Sequence, residues 1–137
     1  MIQVIAIDLN GVLFPTPRQI NHTVMKFVEE CKDFGYRLVI ASNASKGSFE
    51  WRNGKYNIMR IFDGRIISSD IGMRKPSKEF FKYMIDVLGF NSNEILFIDD
   101  SARNIESAES LGIKCMKYKG EKTLDKIRVF LKNDRKK

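Results

Sequence analysis

Apolar residues in this chain come in blocks, and the blocks switch between two spacings. Residues 2–7 form an almost unbroken, β-branched apolar run, the pattern of a strand buried on both faces. Ile20, Val24, Phe27, Val28 and Cys31 then recur at helical spacing as far as Gly35, a helix stop. Residues 37–41, with Leu38, Val39 and Ile40, predict a second buried strand. The stretch 46–64 is interrupted by Gly47 and Asn53-Gly54 and predicts only a broken helix or loop, followed by a short strand at 65–68. Beyond Lys75-Pro76, the residues Phe80, Phe81, Met84, Ile85, Val87 and Leu88 give a helix with a wide apolar face ending at Gly89. Residues 95–98 predict a strand, and Ser101 caps a helix carrying Ile105, Ala108 and Leu111 up to Gly112. A strand at 113–116 and a helix with Leu124, Ile127, Phe130 and Leu131 complete the chain. Strands alternating with helices predict an α/β fold, a parallel sheet of about five strands covered on both faces, in one domain spanning 1–137.

Composition narrows this little. With 137 residues, 43% hydrophobic and 30% charged, the chain is long enough for one ordinary globular core. It has neither a basic, apolar leader nor a run near the ~20 apolar residues of a membrane span, so a cytoplasmic protein without a membrane partner is expected. Cys31 and Cys115 lack the spacing of a zinc site or redox pair and read as buried thiols. The net charge of +7 is more informative: residues 1–113 are neutral, and all of it comes from the last 24 residues. Such a cluster attracts nucleic acid, phosphorylated proteins or anionic surfaces. The plainer alternative is a solvated helix face and, within a basic tail over 132–137, a frayed end at Asp134-Arg135-Lys136-Lys137.

Three strands end in polar groups: Asp8, then Ser42-Asn43, then Asp99-Asp100. In an open parallel sheet the carboxyl edge is where ligands bind. Carboxylates gathered there repel one another and are held most easily by a cation, and an all-oxygen donor set suits Mg²⁺. Taken singly, each would pass for a turn or cap residue.

Together these residues resemble the haloacid dehalogenase-like (HAD) superfamily of hydrolases. Asp8-Leu9-Asn10-Gly11-Val12-Leu13 is similar to its first motif, Ser42-Asn43 to the second, Lys75-Pro76 to the third and Ile98-Asp99-Asp100-Ser101 to the fourth. Phe62-Asp63, Ser68-Ser69, Gly72, Arg74, Phe80, Asn104, Ala108 and Gly112 resemble the branch containing dehalogenases and small-molecule phosphatases. The resemblance runs from residue 2 to about 118 and implies a three-layer Rossmann-like fold. It also implies Mg²⁺-dependent hydrolysis of a phosphomonoester, small molecule or macromolecule, through an aspartyl phosphate at Asp8. Mg²⁺ would be held by Asp8, the carbonyl of Asn10 and the Asp99-Asp100 pair. Ser42 and the Asn43 backbone would hold phosphate oxygens, and Lys75 would place its charge on the phosphoryl group and Asp8.

One position departs from that pattern. Phosphatases of the family carry an aspartic acid two residues after the nucleophile as general acid and base, and here Asn10 stands in its place. An amide keeps the shape but transfers no proton near neutral pH, so a phosphatase with Asn10 should be slowed by a factor on the order of 10²–10⁴. Asn10 fits a slow or non-hydrolytic natural member, or an engineered replacement that traps an intermediate. The alternative function is a non-catalytic phosphate-binding or interaction module that kept the HAD fold. Asn10-Gly11 is also a deamidation-prone pair, because glycine leaves the amide open to the following nitrogen.

The resemblance implies one further departure. Only 33 residues separate Asp8 from Ser42 and 32 separate Ser42 from Lys75, too few for the inserted cap domain of small-molecule HAD enzymes. The open site calls for a macromolecular substrate, or for a neighbouring subunit of a homo-oligomer as lid. Phe49, Trp51 and Tyr56 are read as packing residues, with a partial flap as the alternative. His22, the only histidine, falls outside all four motifs.

Overall fold

The computed structural model describes residues 1–137. Five strands, β1 (Val4–Ile7), β2 (Arg37–Ser42), β3 (Gly64–Ile67), β4 (Ile95–Asp99) and β5 (Lys114–Lys117), form one parallel sheet in the order β3-β2-β1-β4-β5. The chain leaves β1 in one direction to lay down β2 and β3. It then crosses back to place β4 against the other side of β1, pairing Val4 with Ile95 and Ile7 with Ile98. That reversal opens a crevice at the carboxyl ends of β1 and β4.

Alternation within the strands explains why both faces are covered. Ile5 and Ile7 of β1, Leu38 and Ile40 of β2, and Leu96 and Ile98 of β4 point into one core; Val4, Ala6, Val39, Ala41, Ile95 and Phe97 point into the other. The first core is closed by α1 (His22–Asp33), α2 (Lys46–Tyr56) and α6 (Glu121–Arg135), through residues such as Phe27, Phe49 and Ile127. The second is closed by α4 (Lys78–Leu88) and α5 (Ala102–Glu109), through Phe80, Phe81, Met84 and Ala108. The expected three-layer α/β fold is therefore present. Asn21, Ser45, Ser77 and Ser101 cap α1, α2, α4 and α5 with side-chain oxygens. No helix is long and apolar enough to cross a membrane.

Two expectations are corrected. The stretch 46–64 holds a continuous eleven-residue helix, α2, then a 3-10 turn at Ile58–Arg60. Its two glycines weaken the local signal, and the burial of Phe49 and Arg52 supplies what propensity lacks. A four-residue helix, α3 (Ser68–Ile71), follows β3. The basic tail is not frayed either: α6 runs to Arg135 because its end is anchored. Asp134 is buried and accepts the Ile2 backbone N–H at 2.7 Å, and the Arg135 guanidinium donates to the Tyr36 hydroxyl at 2.8 Å and lies 4.2 Å from the Phe34 ring centre. Ile2 precedes β1, so these basic residues sit at the amino edge of the sheet, away from Asp8. Both cysteines are free thiols, and burial pushes Cys31 and Cys115 up to about 12, so neither is a ready nucleophile.

Candidate active site

Strand ends bring the first four residues together. Asp8 directly follows β1, and its N–H bonds the Ile98 carbonyl of β4 at 3.0 Å. Ser42 and Asp99 are the last residues of β2 and β4, and Asp100 is the next residue along. Carboxylate oxygens of Asp8, Asp99 and Asp100 all lie within 4.8 Å of one another. Three carboxylates so close, two of them buried, repel strongly unless cations intervene.

One cation is Lys75, delivered by the loop between α3 and α4. Its Nζ lies 2.6 Å from Asp99 Oδ2, 3.1 Å from Asp8 Oδ1 and 2.8 Å from the Ala41 carbonyl, and the side chain is almost wholly buried. The loop reaches that depth because Asn43 grips its backbone twice: Asn43 Nδ2 donates to the Lys75 carbonyl at 2.9 Å, and the Lys75 N–H donates to Asn43 Oδ1 at 2.8 Å. Asn43 thus spends its side chain on positioning Lys75. That function was invisible in the sequence, where Asn43 read only as a backbone contact.

The two neighbouring aspartates are used differently. Asp99 is heavily engaged: Oδ1 accepts from Ser101 N–H at 2.8 Å, and Oδ2 from Lys75 and from Asn104 Nδ2 at 3.1 Å, which leaves one Oδ1 lone pair open. Asp100 is exposed and lines the cleft. It packs against Gly11, where φ is +83° and an added Cβ would collide with the Asp100 carboxylate, so only glycine fits. Burial raises the Asp8 carboxyl to about 6, with Lys75 opposing the shift and Asp99 adding to it. Burial and the Asp99 charge also push Asp100 upward. Lys75 does not complete the charge balance. Asp8 Oδ1 has no aligned hydrogen bond despite its nearness to Lys75, and the buried Ser42 Oγ has no partner either. Buried polar atoms left open at a strand edge are available to a ligand. The all-oxygen donor set of Asp8, Asp99 and Asp100 fits a hard divalent cation.

Asn10 faces the same cleft, and its Nδ2 donates to the Asn43 carbonyl at 3.0 Å. An aspartic acid there would need its proton to make this contact. In the Asn10-Gly11 pair, the Gly11 N–H donates to the Phe14 carbonyl at 2.9 Å.

The remaining candidates lie outside. His22 is exposed at the start of α1. Phe49 is core, whereas Tyr56 donates to the Arg18 carbonyl at 2.8 Å and Trp51 lies under the Arg18 guanidinium. These aromatics brace the loop after Phe14 rather than form a flap. Arg52, unsuspected from the sequence, joins them: it is buried over Phe14 and donates to the Pro17 carbonyl at 3.0 Å. Asp8, Asn10, Gly11, Asn43, Lys75, Asp100 and Asn104 line an open cleft of about 330 Å³ with no hydrophobic side chain.

Comparison with known proteins identifies the family and the fold. The model of the haloacid dehalogenase-like hydrolase family matches residues 15–118. A drimenol cyclase of Aspergillus calidoustus is 31% identical over 96 residues, 70% of this chain and 18% of that protein. A glyceraldehyde 3-phosphate phosphatase of Methanocaldococcus jannaschii is 32% identical over 94 residues, 67% of this chain and 40% of that enzyme. The chain spans less than half the length of these curated relatives. A HAD family enzyme of Bacteroides thetaiotaomicron, solved with magnesium and inorganic phosphate, superposes with a TM-score of 0.76 at 19% identity, over 87% of this chain and 95% of that one. By the family match over three quarters of its length, and by the sheet that carries its motifs, the chain belongs to the haloacid dehalogenase-like hydrolases.

Proposed function

We propose that this chain is a Mg²⁺-dependent phosphomonoester hydrolase working through an aspartyl phosphate at Asp8, slowed by Asn10. The observation that carries the reading is the Asp8–Lys75–Asp99 cluster, with Asp8 Oδ1 and Ser42 Oγ left without hydrogen-bond partners beside an open polar cleft. The relative named for phosphate-ester chemistry, the glyceraldehyde 3-phosphate phosphatase of Methanocaldococcus jannaschii, supports the class.

In this mechanism an Asp8 carboxylate oxygen bonds to phosphorus as the phosphorus–ester oxygen bond breaks, and the departing oxygen takes its proton from solvent to leave as the alcohol. Water then attacks the aspartyl phosphate and releases inorganic phosphate and free Asp8. Ser42 Oγ and the Asn43 backbone hold nonbridging oxygens. Lys75 Nζ stabilises charge that spreads over those oxygens in the transition state. Asp99 acts through Lys75, holding the ammonium at 2.6 Å, while Asn43 fixes the Lys75 backbone. Asp8, the Asn10 carbonyl and the Asp99-Asp100 pair would hold Mg²⁺, with Asp100 offering the free oxygens. The bound ion offsets repulsion between the nucleophile and an anionic phosphate. Asn10 binds and orients, but it neither protonates the leaving oxygen nor takes a proton from water. The chain works as one domain without an inserted cap: α1 alone separates β1 from β2, and α2, β3 and α3 fill the interval to Lys75.

The test is Mg²⁺-dependent phosphate release from an aryl phosphate by the chain, by Asn10→Asp, and by Asp8→Asn as the blank. Asn10→Asp should turn over faster by a factor on the order of 10²–10⁴, with larger gains on alkyl esters whose leaving groups need protonation. Equal rates in all three would leave the second reading, a phosphate-binding module. What favours that second reading is the Asn10 amide, which is already committed to the Asn43 carbonyl and has no proton to give.

A further inference from the structure

A second polar cleft adjoins the catalytic one and shares Asn43 with it. It has a volume of about 330 Å³ and runs from Asn43 past Ser45 and Ser69 to Arg74. We propose that this cleft receives the alcohol part of the substrate, and that the substrate is a small phosphate ester whose alcohol carries a second anionic group. The inference rests on the phosphohydrolase reading and extends it to a substrate class.

Direction comes from residue 10. In that reading its side chain faces the leaving oxygen, and Asn10 Nδ2 points at the Asn43 carbonyl. The leaving group therefore departs on the Asn43 side, and the space open there is the second cleft. An ester with its phosphorus at Asp8 extends across Asn43 toward Ser45 and Arg74.

Charge comes from Arg74. Its side chain makes no hydrogen bond or ion pair, and no carboxylate lines the cleft. Asp70, the nearest acidic residue in sequence, is already bound to Arg65 at 3.0 Å. Arg74 is nevertheless not on a loose segment, because Asn43 grips the adjacent Lys75 at both its N–H and its carbonyl. An exposed cation on an anchored backbone, lining the cleft that adjoins the catalytic one and with its five donors unused, matches a carboxylate or phosphate in forked geometry. The hydroxyls fit the same ligand. Ser45 Oγ accepts from Ser48 N–H and so keeps its own proton to donate, and Ser69 is exposed at the wall. Ala44 and Met73 are the only apolar residues, too little surface for a long hydrocarbon leaving group.

Two esters of nearly the same size separate charge from shape: 3-phosphoglycerate, with a carboxylate, and glycerol 3-phosphate, with a hydroxymethyl group in its place. Turnover of both is measured with Mg²⁺ at low ionic strength, in the chain and in Asn10→Asp, with p-nitrophenyl phosphate as an uncharged-alcohol reference. We expect kcat/KM to favour the carboxylate ester by about tenfold, mainly through KM, as suits a charge-assisted contact. Arg74→Ala should bring the ratio of the two values close to one, and Arg74→Lys should restore part of it. Equal values in the unsubstituted chain, or a preference that survives Arg74→Ala, would overturn the proposal. If not even the aryl phosphate turns over, hydrolysis itself has failed, and calorimetric binding of the same two esters puts the same question. About tenfold tighter binding of the carboxylate ester, lost in Arg74→Ala, is then expected; equal affinities overturn it.

Discussion

The two edges of the sheet carry similar side chains and treat them in opposite ways. At the amino edge the charges are paired: Asp134 takes the Ile2 N–H, Arg128 reaches Glu30 at 3.0 Å and Asp125 at 2.9 Å, and Arg135 is held by Tyr36. At the carboxyl edge three carboxylates gather beside one buried ammonium that pairs with two of them, and Asp8 Oδ1 and Ser42 Oγ remain without hydrogen bonds. Polar residues that satisfy one another hold a fold together, whereas buried polar atoms left open beside a cleft are free to meet a ligand. This contrast separates structure from function more clearly than residue type does, since aspartates serve at both ends. It also bears on the basic C-terminus. Arg128 and Arg135 are engaged in packing at the amino edge, whereas Lys117 of the same basic stretch lies in register with Asp99 at the carboxyl end of β5.

The contrast can be broken most forcefully at Lys75. Lys75→Met should cost about 3–5 kcal/mol in the metal-free protein, because Asp8 and Asp99 are then left buried without a cation, and urea denaturation reads the loss. A comparable urea midpoint in the variant would mean that the cluster is solvated, not buried as charges.

Acidity offers the next probe. The Asp8 carboxyl lies at about 6 in the folded protein, against an ordinary 3.8. A raised folded value means that the native state binds the proton more tightly. Its stabilising contribution is thus fully present below 3.8 and is lost as pH rises to about 6. Without metal, unfolding midpoints of Asp8→Asn should lack this segment of pH dependence, while the unsubstituted protein shows it.

Magnesium should act in the opposite sense. At a hundred times its dissociation constant, an ion that binds only the folded state stabilises by about 2.7 kcal/mol. A thermal shift of that kind is expected with Mg²⁺ at neutral pH, greatly reduced in Asp100→Asn and removed by chelation. At the amino edge, Asp134→Ala should cost about 1–3 kcal/mol by stranding the Ile2 N–H, with no effect on turnover or on the Mg²⁺ response. Were turnover to fall in Asp134→Ala, the two edges would be coupled and the division between them would fail.

Much of this could be read along the chain because it depends on local periods. The continuous strands, the capped helices and the polar groups ending β1, β2 and β4 are each written within a few residues, and their order implies a parallel sheet with a carboxyl-edge site. The stretch holding α2 was illegible for a physical reason: its glycines and few apolar residues carry almost no periodic signal, and its stability comes from Phe49 and Arg52 packing on distant parts of the chain.

Local patterns along the chain were enough for the strands, most of the helices, their alternation and the chemistry at the strand ends, with α2 and α3 the exceptions. Tertiary structure decided how those residues divide the work. The Asn43 grip on Lys75 spans 32 positions and the Asp134 contact to Ile2 spans 132, distances over which no local pattern carries information. Asp99 and Asp100, identical neighbours in the sequence, part company only when Lys75 and Asn104 engage one and leave the other facing the cleft. Residue type limits what a side chain can donate or accept, and the fold decides which of those capacities are already used.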